Sequence, residues 1–151
     1  MAETSDITHM KRSNLMLLMI TLTVAVPSIV NAAEEGEPPP GEGVICALGI
    51  YSAVAEVGKQ CFPSQDLEFQ EGVNRAVAKL DAYVLKNSET TKDDLARLKY
   101  EQSRVGKPKD IVCSSDMLKL YQGMARNGAG VEAAVDKLVS RPGKPTWGSC
   151  L

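Results

Sequence analysis

The sequence predicts an all-α domain: a disulfide-stapled, up-down bundle of about five helices. Beyond the N-terminal region, apolar residues recur mostly at helical spacing, with little sign of strand alternation. Clusters of glycine and proline divide this part of the chain into short helical segments, and four cysteines lie within it. Short connections favour antiparallel helices, and an even number of cysteines favours disulfides, so together these observations define the fold class.

Residues 1–32 are predicted to form a secretory signal peptide. Two basic residues precede an apolar run, and small residues end the segment at Ala32, after which we place the cleavage. Residues 1–9 carry acidic side chains unlike those of a normal leader, and a start at Met10 would make them an annotation artefact. An uncleaved membrane anchor is the alternative, which Pro27 weakens because it interrupts the apolar run.

The single histidine, His9, lies within this predicted signal peptide. After cleavage the protein would have no imidazole for a Ser-His or Cys-His catalytic pair or for a metal site. The net charge of −2 argues against nucleic acid as a partner, because phosphate binding needs clustered positive charge. We therefore predict an exported, non-catalytic protein without metal, cofactor or membrane span after cleavage.

The prolines and glutamates of residues 33–43 predict a disordered, solvated leader. A single helical domain is then predicted over residues 44–151. Its first helix, Val44 to Gln60, is apolar nearly all round, and Ser52 and Glu56 are among its few polar residues. Such a helix is normally the buried centre of a bundle.

Four more helices are predicted, each bounded by turn residues. Ser64 is the predicted N-cap of the second helix, and Thr91 with Asp94 is the predicted start of the third. Within that third helix, Asp93 is expected to pair with Arg97 one turn later. The second helix is predicted to end at Lys86 and the third at Val105. The fourth is predicted from Ser114 or Ser115 to Asn127, and the fifth from Val131 to Val139.

The four cysteines are predicted to form two disulfides in an oxidising compartment, because neither a Cys-x-x-Cys pair nor a histidine supports a metal site. Cys46 and Cys61 lie at opposite ends of the first helix, too far apart to pair with each other. Alternating helix directions bring Cys113 beside Cys61. We therefore predict Cys61–Cys113 and, through a returning C-terminal tail, Cys46–Cys150.

Aromatic and methionine side chains supply the candidate face for a ligand or partner. Met117, Tyr121 and Met124 form one stripe on the fourth helix, while Tyr51 lies on the first helix and Trp147 in the tail. The alternative is that the stripe belongs to the core and that Trp147 covers the end of the bundle. If an internal apolar pocket exists, these tyrosines and methionines would line it, and a carrier of an apolar ligand would need such a pocket between the first, second and fourth helices.

Charged residues offer weaker candidate sites. Glu68 with Glu71, and Glu132 with Asp136, could each share a helix face. Paired carboxylates can catalyse glycoside hydrolysis, although charged pairs at this spacing are usually a solvated face. A basic cluster around the third helix suits either an acidic partner, an anionic membrane or a solvated face. Its members are Lys92, Arg97, Lys99, Arg104, Lys107 and Lys109.

The sequence as a whole predicts a protein that binds another envelope or secreted protein, and a homodimer is compatible with it. Three stretches resemble small periplasmic immunity proteins that neutralise secreted cell-wall toxins: Tyr51-Ser-Ala-Val-Ala-Glu, Cys61-Phe-Pro63, and the amphipathic helix through Leu80 to Leu85. The resemblance implies an inhibitor or immunity-type factor. A carrier of a small apolar ligand and an acid-responsive periplasmic chaperone are the alternative functions.

Overall fold

A computed structural model describes residues 37–148, apart from the side chain of Ala129. The predicted signal peptide, its cleavage site and Cys150 lie outside the described residues. The described residues belong to one compact unit, Gly36–Leu151, and they form helices without any strand among them. The elements are α1 (Val44–Cys61), α2 (Leu67–Asn87), α3 (Lys92–Gln102), α4 (Lys109–Val112), α5 (Ser115–Arg126), a 3₁₀ turn (Gly128–Gly130) and α6 (Val131–Leu138).

The predicted all-α class is confirmed, and α1 is the central helix of a bundle-like packing. It contacts α2, α3, α4 and α5, and α2 also packs against α6. Because apolar residues occur on nearly every face of α1, the helix can be surrounded by neighbours on several sides. By length and composition α1 is also the one described helix that could cross a membrane, yet 61% of it is buried within the protein. The largest fully buried side chains are Tyr121, Leu48, Leu80, Val44, Val54, Val57, Val73, Val84, Val112 and Val135.

The second helix begins later than predicted. Its N-cap is Asp66 rather than Ser64, and neither side chain closes the helix by a capping hydrogen bond. Asp66 has a φ of 51°, in the left-handed region that aspartate tolerates better than most residues. Gln70 compensates, because its side-chain amide donates to the carbonyls of Phe62 and Gln65, each at 2.7 Å. The turn after α1 is therefore stabilised by hydrogen bonds from Gln70, a residue of α2.

The third helix begins as predicted, with a capping box formed by Thr91 and Asp94. The expected pairing of Arg97 differs: its guanidinium contacts Asp94 at 2.8 Å instead of Asp93. Asp94 is already fixed by the capping box, so it presents a carboxylate in a set position three residues from Arg97. Hydrogen bonds from the Thr91 side chain and backbone lower the pKa of Asp94.

The third helix also ends earlier than predicted, at Gln102 rather than Val105. An additional short helix, α4, which the sequence did not predict, follows it. Arg104 turns the chain with a φ of 59°, and its guanidinium donates to Ile111 O at 2.9 Å and Ser114 Oγ at 2.8 Å. These bonds hold the short helix α4 between α3 and α5. The described residues thus form six α-helices where about five were predicted, because a four-residue helix carries no periodic signal.

A disulfide joins Cys61 and Cys113, the pair predicted from the alternation of the helices, with Cα atoms 5.9 Å apart. It fastens the C-terminal end of α1 to the residue that follows α4. Cys46 is also disulfide-bonded. Its predicted partner, Cys150, lies outside the described residues, so the pair Cys46–Cys150 stays a prediction. Disulfides of this kind persist in oxidising, exported environments.

The described part of the predicted leader, residues 37–43, packs against the domain and is not a solvated extension. Gly41 is buried and has a φ of 85°, and a Cβ atom there would lie 2.3 Å from the carbonyl oxygen of Lys144. Arg141 adds a hydrogen bond to Pro38 O at 2.9 Å and an ion pair with Glu37 at 3.3 Å. Composition indicates disorder here, but the C-terminal segment supplies the packing partner.

That C-terminal segment, residues 141–148, covers the start of α1. Thr146 O accepts a hydrogen bond from Ile45 N at 3.1 Å, which satisfies a backbone donor that the helix itself leaves free. The amide of Thr146 donates in turn to Gly41 O at 2.9 Å. The buried Tyr83 fixes the same segment, because its hydroxyl lies 2.9 Å from the carbonyl oxygen of Arg141. The tail thus returns to the Cys46 end of α1, as the predicted connectivity requires.

Candidate binding site

Two adjoining cavities form the main concave surface on one side of the domain. The first, about 340 Å³, lies between residues 37–43, α1 and α6, and the second, about 580 Å³, lies among α1, α5 and α6. Tyr51 and Ala134 line both cavities, so we describe them together as the Tyr51 groove. Its apolar wall includes Pro38, Pro39, Pro40, Ala47, Tyr51, Leu120, Met124, Val131, Ala134, Val135 and Leu138.

Tyr51 is the polar point in this wall. Only 3% of its surface is exposed, and burial raises the pKa of its phenol. Its hydroxyl forms no hydrogen bond with any of residues 37–148. An occupant of the groove could therefore gain one hydrogen bond in an otherwise apolar contact.

The structure separates the side chains that the sequence analysis grouped as one candidate face. Tyr51 and Met124 lie together in the wall of the groove. Tyr121 lies in the core, where it stacks on Phe62, and Met117 is partly buried against that core. The stripe on α5 therefore points mainly inward, and only its Met124 end reaches the groove.

Trp147 lies in the C-terminal segment and is 51% exposed. Its neighbour Gly148 sits directly against Glu42, so close that a Cβ there would be 2.2 Å from Glu42 Cγ. The backbone next to Trp147 therefore packs against Glu42, and this contact fixes the position of the backbone that carries the indole. Trp147 is not among the residues lining the groove.

Several groove residues escaped the sequence reading. Leu120 is 37% exposed, and it lies four residues before Met124 on α5, a spacing that places both on one helix face. Ala134 and Leu138 are related in the same way on α6. The apolar residues of α6 cover a wide face for an eight-residue helix, and this wide face was the sequence feature that could have indicated the groove. The contribution of residues 37–43 had no such signal, because their composition suggested a leader.

A carrier of an apolar ligand was expected to need a cavity between the first, second and fourth predicted helices, which correspond to α1, α2 and α5. The apolar cavities instead involve α6 and residues 37–43, since Phe62 and Phe69 fill the space around Tyr121. A cavity between α1, α2 and α3 is present but has a polar wall.

The two carboxylate pairs occupy different settings. Glu132 and Asp136 on α6 are both held by Lys79 of α2, at 2.9 Å and 2.6 Å, and Arg75 contacts Glu132 at 3.1 Å. Hydrogen bonds from Lys79 and Arg75 lower the pKa of Glu132. This network ties α6 to α2 and occupies the carboxylates that the sequence offered for catalysis. Glu68 and Glu71 are exposed near the start of α2.

We expect Glu132→Gln to lower the free energy of unfolding slightly at neutral pH and to have no effect in acid. The pKa of Glu132 is depressed in the folded state, so its contribution is present above the unfolded pKa and is lost as pH falls through the folded pKa. The ion pairs are solvent-accessible, so high salt should weaken the effect. Urea unfolding across this pH range, with Glu89→Gln as the unpaired control, measures it. A cost that persists in acid would contradict this assignment.

The basic cluster is divided among separate local partners. Lys99 contacts Asp81 at 2.7 Å, and the ammonium of Lys107 lies 3.3 Å from the centre of the Tyr100 ring. Arg97 and Arg104 make the contacts described above. These arrangements spread the positive charge along α3 and its exit, as the interpretation of a solvated face expects. Among the described residues, no group of three or more His, Cys, Asp or Glu side chains could hold a metal ion.

No protein-family model matches the chain, and neither a curated protein nor a solved structure matches it. The physical features of the Tyr51 groove are therefore the basis for a functional proposal.

Proposed function

We propose that this chain is an exported, non-catalytic helical protein that binds another secreted or envelope protein through the Tyr51 groove. The observation that carries the proposal is a partly open apolar groove in which the exposed Leu120 and the partly buried Met124 lie beside Tyr51. Exposed apolar surface of this kind, bordered by charged residues, is typical of interaction sites. The disulfides support a periplasmic or extracellular location.

The shape of the groove favours a short amphipathic segment of the partner. The eight residues of α6 are about 12 Å long, which matches roughly two turns of a docked helix. Charged residues of both signs lie at its border, among them Lys119, Lys137 and Glu42. We therefore propose a partner segment with apolar anchors flanked by charged residues. Met124 suits this role because methionine adapts its shape to an irregular partner.

A carrier of a small apolar ligand is the second candidate. The cavity beside residues 37–43, at about 340 Å³, is within the size range of small-molecule sites. Its wall is mainly apolar, and the unbonded hydroxyl of Tyr51 supplies one polar contact. A ligand with an apolar body and one hydrogen-bonding group would fit this chemistry.

We expect Ala134→Asp to reduce partner capture by about tenfold or more, because it places a charge in the wall shared by both cavities. The measurement is quantitative capture from an envelope extract by the purified, oxidised chain. Leu67→Asp is the matched control, since Leu67 is an exposed apolar residue outside the groove. Equal loss in both variants, or no loss in Ala134→Asp, would contradict the proposal.

Native mass spectrometry of the same preparation separates the two candidate functions. Added mass of a few hundred daltons that disappears on denaturation would support the carrier function. A complex of two copies would make the groove a homodimer interface. Capture of one partner, abolished in Ala134→Asp and retained in Leu67→Asp, would support the proposed protein-binding function.

A further inference from the structure

The connection between α5 and α6 consists of an asparagine followed by a glycine-rich turn. Asn127 is the C-cap of α5, the 3₁₀ turn Gly128–Gly130 follows it, and Val131 begins α6 directly afterwards. Asn127 is exposed to solvent, and it lines the second cavity of the Tyr51 groove. Because α5 and α6 both contribute to the wall of this cavity, their short connection sets the spacing between two sides of the groove.

An asparagine that precedes glycine can react with its own backbone. The backbone nitrogen of the glycine attacks Cγ of the asparagine side chain, and glycine resists this approach least because it has no Cβ atom. Asparagine is accordingly one of the thermolabile residues of proteins. Among residues 37–148, only Asn127 is followed by glycine, since Asn74 precedes an arginine and Asn87 precedes a serine.

Local contacts also favour a reaction at Asn127 over the other two asparagines. The Nδ2 atom of Asn127 lies 3.5 Å from Gly123 O, which is long for an N–H···O hydrogen bond. The Nδ2 atom of Asn87 lies 2.8 Å from Tyr83 O, so its amide is held more firmly. Asn74 lies within α2, where helical hydrogen bonds fix the backbone nitrogen of the next residue.

Ring closure requires the turn after Asn127 to open. At the observed ψ of 19°, the nitrogen of Gly128 and Cγ of Asn127 do not face each other. The turn is closed by a hydrogen bond from Gly130 N to Asn127 O at 3.1 Å. Glycine permits the backbone rotation that the reaction needs, and exposed connections of this kind open locally without unfolding of the core.

We propose that Asn127 is a site of spontaneous deamidation. The nitrogen of Gly128 loses its proton and bonds to Cγ of Asn127, while the Cγ–Nδ2 bond breaks and ammonia leaves with that proton. Water then opens the cyclic imide at either carbonyl and returns a proton to the nitrogen. Opening at Cγ leaves aspartate, whereas opening at the backbone carbonyl leaves isoaspartate, whose main chain runs through Cβ and Cγ.

Both products change the connection between α5 and α6. Each adds a negative charge at the C-terminal end of α5, where the helix dipole disfavours it. Isoaspartate also lengthens the main chain by an extra carbon atom. The neighbouring space is small, because a Cβ atom at Gly128 would lie 3.1 Å from Phe69 Cδ2. The isoaspartate form should therefore displace α6 relative to α5. An effect on partner binding rests on the proposed function, whereas the deamidation itself does not.

Peptide mapping by mass spectrometry, during incubation of the oxidised chain at mildly alkaline pH, tests the proposal. We expect loss of the amide at Asn127, with aspartate and isoaspartate as products, while Asn74 and Asn87 keep their amides. Asn127→Gln should prevent the loss, because glutamine must close a larger ring, and Asn87→Gln should leave it unchanged. A peptide of residues 121–133 gives the rate without the fold. An intact Asn127 after this peptide has converted, or equal loss at Asn87, would overturn the proposal.

Amide chemical shifts of the purified isoaspartate form give a second readout. Asn127→Asp is the matched control, because it adds the charge without lengthening the main chain. We expect the amides of Val131 and Ala134 to shift in the isoaspartate form and to stay near their original positions in Asn127→Asp. Equal spectra for the two forms would show that α6 is not displaced, and this part of the proposal would be wrong. Unchanged partner capture by a form with displaced α6 would count against binding in the Tyr51 groove and not against deamidation.

Discussion

The double change Cys61→Ala, Cys113→Ala is expected to lower the free energy of unfolding by about 4 kcal/mol. The bond joins residues 52 positions apart, and a cross-link over a long loop restricts the unfolded chain strongly. It also anchors α4, whose four residues are too few to be stable as an isolated helix. Urea unfolding without reducing agent, followed by circular dichroism, measures the loss.

Wild-type protein in reducing agent is the companion measurement. It should lose at least as much stability as the double variant, because reduction also opens the bond at Cys46. A loss below about 1 kcal/mol in the double variant would contradict the prediction. Packing and the hydrogen bonds of Arg104 would then suffice to hold α4 in place.

Tyr121→Ala is expected to lower the free energy of unfolding by about 3–5 kcal/mol. Tyr121 is 1% exposed, and its ring stacks on Phe62 with centroids 4.6 Å apart and meets the edge of Phe69 at 5.2 Å. These rings join α5 to α2 and to the turn after α1. Truncation would leave a large void at this junction, where the disulfide limits how far the chain can collapse. Urea unfolding by tryptophan fluorescence and circular dichroism measures the cost.

Tyr121→Phe is the matched control, because it keeps the ring and removes only the hydroxyl. That hydroxyl is buried near Asp66 and Gln70 without a well-formed hydrogen bond, and burial raises its pKa. We expect its removal to change stability by less than about 1 kcal/mol. A cost equal to that of Tyr121→Ala would mean that the hydroxyl, and not the ring packing, holds α5.

Local features of the sequence predicted the structure most successfully. The apolar character of α1 marked it as the central helix, and Thr91 with Asp94 marked the start of α3, because a capping box depends only on residues three apart. The pair Cys61–Cys113 followed from helix order and direction. These predictions needed no knowledge of side-chain packing.

Features that depend on tertiary contacts were not predictable in the same way. Asp66 begins α2 because Gln70 reaches back to hold the preceding turn, a bond that composition does not reveal. Residues 37–43 have the composition of a solvated leader, but residues from the opposite end of the chain cover them. The local conformational preference of residues 37–43 cannot predict that a segment distant in sequence will pack on them.

The candidate site illustrates the same division. Tyr51 and Met124 were candidate binding residues by type, and the structure places both in the groove wall. Tyr121 has the same chemistry and faces the core, since its position on α5 points it toward Phe62 and Phe69. Residue type therefore predicted candidate residues, but only the packing of α5 against α1 and α2 distinguished the groove residues from the core residues.

The hydrogen bonds between Thr146 and the start of α1 have a consequence for the order of events in biosynthesis. The chain is made from its N-terminus, so α1 exists long before residues 141–148 arrive to cover it. Until then the amide of Ile45 must bond to water, and the cavity beside residues 37–43 lacks Arg141 from its wall. A nascent chain in which residues 141–148 have not yet been made would therefore keep this end of α1 open.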